Sequence, residues 1–221
     1  MNTPLSKVPP LENGDRLSRP EFERRYAADP HIKKAELIEG TVYVASPLRH
    51  RQHGKPHSRI QTWIGFYQAM TPGIDLSTEP IVRMDLDNEP QPDVVLFFER
   101  GGGITIAGDG YLEGAPELVI EIAGSSAAID AGTKKQVYRR NGIQEYILWQ
   151  SYENRLDWFQ LVEGEYQLLL PDEAGVIRSQ VFPGLWLSVD DLLSYNMTKV
   201  LETVQARIRS PEHQAFIEAR Q

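Results

Sequence analysis

The chain of 221 residues contains no cysteine. That absence excludes disulfides and thiolate metal sites such as a zinc ribbon, and makes a reducing, cytoplasmic compartment the simplest setting. Long apolar runs are missing too: nothing approaches the ~20 residues that span a bilayer, and the first ten residues lack the apolar core of a secretory signal, so no membrane partner is expected. Positive charge is in deficit. Lys and Arg number 23 against 31 Asp and Glu, a net charge of -8, which weighs against nonspecific nucleic-acid binding because phosphates are neutralised by Lys and Arg. What the chain has is 41% hydrophobic residues, enough for one sizeable core and too little for two generous ones.

Along the chain, residues 1–17 lack periodicity and read as a flexible leader. Ser18 and Glu21 fit a capping box that starts a helix ending before Pro30. Residues 35–39 and 41–46 flank Gly40 as a hairpin, with Glu36 on its first strand. Ile60, Trp63, Ile64 and Tyr67 recur at helical spacing and predict a helix over 56–70. A strand over 74–85 leads through a turn into Pro92–Phe98, apolar on both faces like Leu118–Ala123, as central strands covered by helices are. The connection over 101–110 reads as a loop, and its triple glycine as a mobile link, since no phosphate-cradle spacing is present. A helix starting at Ser125 or Ser126 should stop at Asn141-Gly142 and be followed by an antiparallel meander over 144–170. The domain is expected to span 18–195, with a short helix at 189–193. A long helix over 196–221 would carry an apolar stripe of Val200, Val204 and Ile208, suited to packing on the body or on a second copy in a homodimer.

Two acids stand inside the apolar strands. Asp93 opens one and Glu121 interrupts the other, and a desolvated carboxylate demands a cation or strong donors, which suggests a metal site. If Asp93 is merely desolvated, Asp93→Ala should stabilise the metal-free protein. Alternatives stay open: Asp93 as a solvated or backbone-capping residue at the strand start, and Glu121 on an open sheet edge. Lys134 shares a helix face with Asp130 and Tyr138, which by itself is no more than a surface ion pair. The basic stretch from Arg49 to Arg59, with Arg51 and Lys55 between, is either a solvated helix start or a surface for phosphates. His50, His53 and His57 look ill-suited to ligate a metal, because Gly54 and Pro56 should break the helix their spacing needs; His57 suits a phosphate contact, or an oriented place at the helix start, better.

The ordered set Glu36-Leu-Ile-Glu-Gly40, His57 with Ile60, Gln91-Pro-Asp-Val-Val95, Ala115-Pro-Glu-Leu-Val-Ile-Glu-Ile122, Lys134 with Tyr138, and Gly142-Ile-Gln-Glu-Tyr-Ile-Leu148 resembles the Uma-type "putative restriction endonucleases" over about residues 18–195. The resemblance implies an α/β (α+β) fold of the restriction-endonuclease-like PD-(D/E)XK kind, a mixed central sheet flanked by helices, here with a C-terminal helical extension. It makes Asp93 and Glu121 the two acids of the motif. Ala123 stands where the simple motif has lysine, and Lys134 from the following helix takes that place. Glu36 matches an early-strand acid and Gln91 precedes the Pro-Asp pair. The chain reads Ala123-Gly-Ser-Ser where relatives commonly have Ser-Pro-Ser. The expected activity is Mg²⁺- or Mn²⁺-dependent hydrolysis of nucleic acid, DNA first, by activated water. Asp93, Glu121 and the Ile122 carbonyl would hold the cation, with Lys134 and Glu36 assisting; Arg49, Arg51, Lys55, His57, Arg59 and Gln91 would contact substrate. Two competing classes remain: an inactive binding or assembly module of the same fold, and a metal-dependent hydrolase of another phosphate ester.

Overall fold

The computed structural model describes residues 8–124 and 126–220. In chain order the elements are α1 (Arg19–Ala28), β1 (Ala35–Ile38), β2 (Thr41–Val44), α2 (Lys55–Ala69), β3 (Ile74–Thr78), β4 (Val82–Arg83), β5 (Val94–Phe98), β6 (Ile104–Ile106), β7 (Leu112–Gly114), β8 (Leu118–Ala123), α3 (Ala127–Ile129), α4 (Lys135–Arg140), β9 (Glu145–Gln150), β10 (Arg155–Val162), β11 (Glu165–Leu169), β12 (Val176–Arg178), β13 (Trp186–Ser188), α5 (Val189–Leu193), α6 (Met197–Arg207) and α7 (Pro211–Glu218). Among the described residues the main sheet has six strands in the order β11-β10-β9-β8-β5-β3, antiparallel except for the parallel pair β8 and β9. The helical connection through α3 and α4 is the crossover that a parallel pair requires.

Strands β5, β8 and β9 are buried along their whole length, and alternation sends their side chains into two cores. Val94, Leu96, Phe98, Leu118, Ile120 and Ile122 meet Ile60, Trp63, Ile64 and Tyr67 of α2 and Val200 and Val204 of α6 on one face. Val95, Phe97, Val119 and Ala123 meet Tyr138 of α4 on the other. The stripe on α6 therefore packs on the body. Glu145, at the start of β9, is buried as well, and its carboxylate accepts from Trp158 Nε1, Ser179 Oγ and the backbone nitrogens of Gln180 and Val181. Burial pushes it up to about 7 although those donors pull it down.

Several expectations are corrected. Ser18 is the N-cap of α1 without a side-chain cap bond, and Glu21, which would complete the box, is taken by Arg24 and Arg25 at 2.7 and 2.6 Å. Of the expected leader, residues 1–7 lie outside the described residues; beyond them Leu11 is buried and the Gly14 and Leu17 nitrogens donate to Val42 and Gly40 of the hairpin. The 74–85 strand is split between β3 in the main sheet and β4 in a small sheet with β7 and β6, so the 101–110 loop contains a strand. The glycine link is anchored, since Glu117 accepts from the nitrogens of Phe98 and Gly103. A Cβ at Gly103 would stand 2.2 Å from the Ala115 carbonyl oxygen, so only glycine allows that approach. The expected long terminal helix is two helices broken before Pro211, with Ser210 capping the second.

Two π turns interrupt the helices that matter most. His50–Gly54 runs into α2, and Asp130–Lys134 joins α3 to α4. In the first, Pro56 has no N–H to return to Gln52, which favours a widened turn over an ordinary helix start. The 125–141 helix expected from sequence is thus present but stepped in the middle; Ser125 itself lies outside the described residues.

Candidate active site

The register of the sheet sets the site. Val94 pairs with Ile120 and Val95 with Val119, so Asp93, the residue before β5, comes opposite Glu121 on the neighbouring strand. Like charges directly opposed destabilise a sheet unless other groups receive them, and each acid here has its own retinue. Asp93 Oδ2 accepts from the Ile122 nitrogen at 2.7 Å. Its Oδ1 lies 3.0 Å from His53 Nε2 and 3.5 Å from Lys34 Nζ. Against the upward push of burial, His53 and Lys34 hold Asp93 well below the usual carboxylate range.

Glu121 Oε1 receives the Tyr138 hydroxyl at 2.6 Å and the Lys134 ammonium at 2.6 Å. Lys134 also lies 2.8 Å from Glu36 Oε1 and 3.6 Å from Asp130 Oδ1. Burial pushes Glu121 up to about 8 while Lys134 pulls it down and Asp130, Asp93 and Glu36 add to the rise. Lys134 is also raised, its three acids outweighing burial. The two shifts oppose each other, since a charged lysine favours an ionised partner. Double donation to Oε1 favours the ionised Glu121 beside the ammonium, leaving surplus acidity to the cluster as a whole.

Both helical groups arrive by way of π turns. The turn at 130–134 brings Asp130, Lys134 and Tyr138 inward together, and the pairing of Lys134 with Asp130 is buried, not a surface pair. The turn at 50–54 continues the helix through Gly54, against expectation, and carries His53 to Asp93. Glu36 on β1 is held in place by the Gln91 nitrogen at 2.7 Å.

These groups line a cavity of about 890 Å³ that includes Lys34, Glu36, Asp93, Glu121, Ile122, Asp130 and Lys134. Arg49 lies on its wall, whereas Arg51, Lys55, His57, Arg59 and Gln91 are not among the lining residues. Lys55 is spent on the Tyr195 ring at 3.6 Å. His57 Nε2 lies 3.1 Å from the Asp93 carbonyl oxygen, and the Gln91 side chain donates to the Glu79 carbonyl. Sequence reasoning gave Lys34, His53, Asp130 and Tyr138 no part in the site. Lys34 directly precedes β1 and stands two residues before Glu36, a spacing that points both to one side if the chain is extended there.

For a cation the donors fit in kind and in charge: four carboxylates, Glu36, Asp93, Glu121 and Asp130, line one cavity with only two lysines, and hard divalent ions take oxygen ligands. They close around lysine, and among the described residues no three His, Asp or Glu side chains stand grouped as a metal cage. No helix of the described residues is long and apolar enough to cross a membrane.

No curated protein matches the chain. Its fold matches the crystal structure titled as a "putative nuclease belonging to DUF820" from Anabaena variabilis, with a TM-score of 0.60 at 19% identity, covering 78% of this chain and 97% of that one. The family model described as "Uma2: Putative restriction endonuclease" matches residues 19–190. With the mixed sheet, the opposed acids and that match over most of its length, the chain belongs to the Uma2 family of restriction-endonuclease-like proteins.

Proposed function

We propose that the protein hydrolyses nucleic-acid phosphodiester bonds, with DNA the first substrate to test, using Mg²⁺ or Mn²⁺ held by Asp93, Glu121 and the Ile122 carbonyl. The observation that carries this reading is Lys134, a buried ammonium shared by Glu121 and Glu36 at the base of a cavity that Asp93 also lines. A bound cation would supply Lewis acidity toward the phosphoryl oxygen and lower the pKa of water. The chain's own groups do the rest. Lys134 presents a positive donor where negative charge develops on the phosphoryl oxygens, and its acids hold it in place beforehand, so no reorganisation is needed at the moment of reaction. His53, Lys34 and the Ile122 nitrogen fix the Asp93 carboxylate, and Tyr138 fixes Glu121. Water adds to phosphorus, the bond to the leaving oxygen breaks, and that oxygen takes up a proton.

Nicking of supercoiled plasmid in Mg²⁺ or Mn²⁺, absent in EDTA and lost in Asp93→Asn, tests the proposal; undiminished nicking by Asp93→Asn would overturn it. A panel of nucleotides and simple phosphodiesters separates a nuclease from a hydrolase of smaller esters. A second reading, a noncatalytic module of the same fold, is favoured by one observation: each acid is already satisfied by donors of the chain. Metal-independent binding without turnover would select it.

A further inference from the structure

Resting on the nuclease reading, we infer that the site takes an unpaired nucleic-acid strand and not an intact duplex, with Tyr152 as the stacking platform for a base and Arg49 as the contact for a neighbouring phosphate. Depth comes first. Asp93, Glu121, Asp130 and Lys134 are each only 3–4% exposed, at the floor of the cavity. A duplex is stiff over ~150 base pairs and carries its phosphates on a broad cylinder, so bringing one phosphate to this floor costs it more than it costs a flexible strand. A single strand can dip to it.

The mouth provides what such a strand recognises. Tyr152, in the turn between β9 and β10, is 56% exposed and lines the same cavity as the acids. Its ring edge lies beside Gly124, one residue beyond β8, at 3.9 Å from where a Cβ would stand. Exposed Leu48 and Arg49 stand on the wall formed by the segment after β2. Bases stack on aromatic faces whatever their identity, so one exposed ring at the mouth serves any sequence. Among the described residues no extended basic track lies along the cavity: net charge is -8, Lys55 is spent on Tyr195 and Arg59 is half-buried. Phosphate contacts supply most of the affinity for a duplex, whereas stacking adds to what a single strand gains from them.

The test uses the full chain and a short fluorescent oligonucleotide, as a single strand and as a blunt duplex, with anisotropy measured in EDTA. The strand is expected to bind at least about tenfold tighter than the duplex, and Tyr152→Ala to lose about tenfold on the strand while Tyr152→Phe loses little. Arg49→Gln should reduce the slope of affinity against salt by about one. Equal affinity for the two forms, or strand binding indifferent to Tyr152→Ala, overturns the inference. Adding Mn²⁺ then separates the two readings. Tyr152-dependent strand binding without cleavage would leave this inference standing and sink the nuclease, whereas duplex cleavage indifferent to Tyr152 would do the reverse.

Discussion

Oε1 of Glu121 accepts from two donors at the same distance, the Lys134 ammonium and the Tyr138 hydroxyl, each 2.6 Å away. Both donors come from one helical crossover, while the acid sits on the strand before it, so strand and crossover are tied by a single oxygen. Removing one member of a buried ion pair leaves an uncompensated charge and costs about 3–5 kcal/mol. Lys134→Ala should therefore both destabilise the protein by about that amount and abolish cleavage, whereas Glu121→Gln, which keeps an acceptor for Tyr138, should abolish cleavage at smaller cost. Urea denaturation beside the nicking assay checks this; a Lys134→Ala protein as stable as the parent would show that the pair contributes nothing to folding.

Asp93→Ala should lower stability, the opposite of what a merely desolvated acid would do. Its loss strands His53, Lys34 and the Ile122 nitrogen, and an abandoned buried donor costs about 1–3 kcal/mol. The sign with pH follows from its depressed folded pKa: the stabilisation is present above the unfolded value of about 3.9 and fades as pH falls through the folded one. Melting curves of parent and variant should differ at pH 7 and converge in strong acid. A variant that melts higher at pH 7 would refute this account.

Mg²⁺ or Mn²⁺ is expected to raise the melting temperature of the parent, since a ligand of the folded state stabilises by mass action, about 2.7 kcal/mol at a hundred times Kd. Asp93→Asn and Glu121→Gln should show little response. Equal shifts in all three, by calorimetry at matched ionic strength, would place the cation elsewhere.

Glu145 provides a test remote from the chemistry. Burial lifts it to about 7 in the folded protein, so between the unfolded value near 4.3 and 7 the unfolded chain gives up a proton that the folded one keeps. Stability should fall as pH rises across that window, by at most about 4 kcal/mol. Glu145→Gln should flatten the dependence while lowering stability at pH 5, where the acceptor for Gln180 and Val181 is disturbed. An unchanged slope between pH 5 and 7 in the variant would remove Glu145 as its source.

Much of this was legible in the chain. Asp93 and Glu121 stand out because alternation is strict in a sheet: each falls in a row otherwise filled by Val95, Phe97, Val119 and Ala123. Lys134, Asp130 and Tyr138 were legible as a helix face, though not as a buried one, because burial depends on what the crossover packs against. The place of His53 beside Asp93 is hidden in the sequence, since Gly54 and Pro56 are ordinary helix breakers and a π turn leaves no periodicity of its own. The basic segment misled in the other direction. Contiguity in sequence suggests one charged surface, but only Arg49 of the segment's cations lines the cavity, while Lys55 is spent on the Tyr195 ring. The break before Pro211 is legible, a proline being a poor interior residue for a single long helix, although the apolar stripe alone predicts one.

The π turns bear on which changes of length the gene could tolerate. Each holds one residue more per turn than an α-helix, so it behaves like an insertion retained in place. Deleting a single residue from 130–134 would give a more regular helix and a worse protein, because everything upstream of the cut would be rotated against α4 and Asp130 would leave Lys134. Loop 101–110 faces no such restriction at Gly108, where a side chain would meet open space. Lineages of this chain should therefore drift in length at such surface turns, while the two stepped helices keep their residue count even where their side chains change.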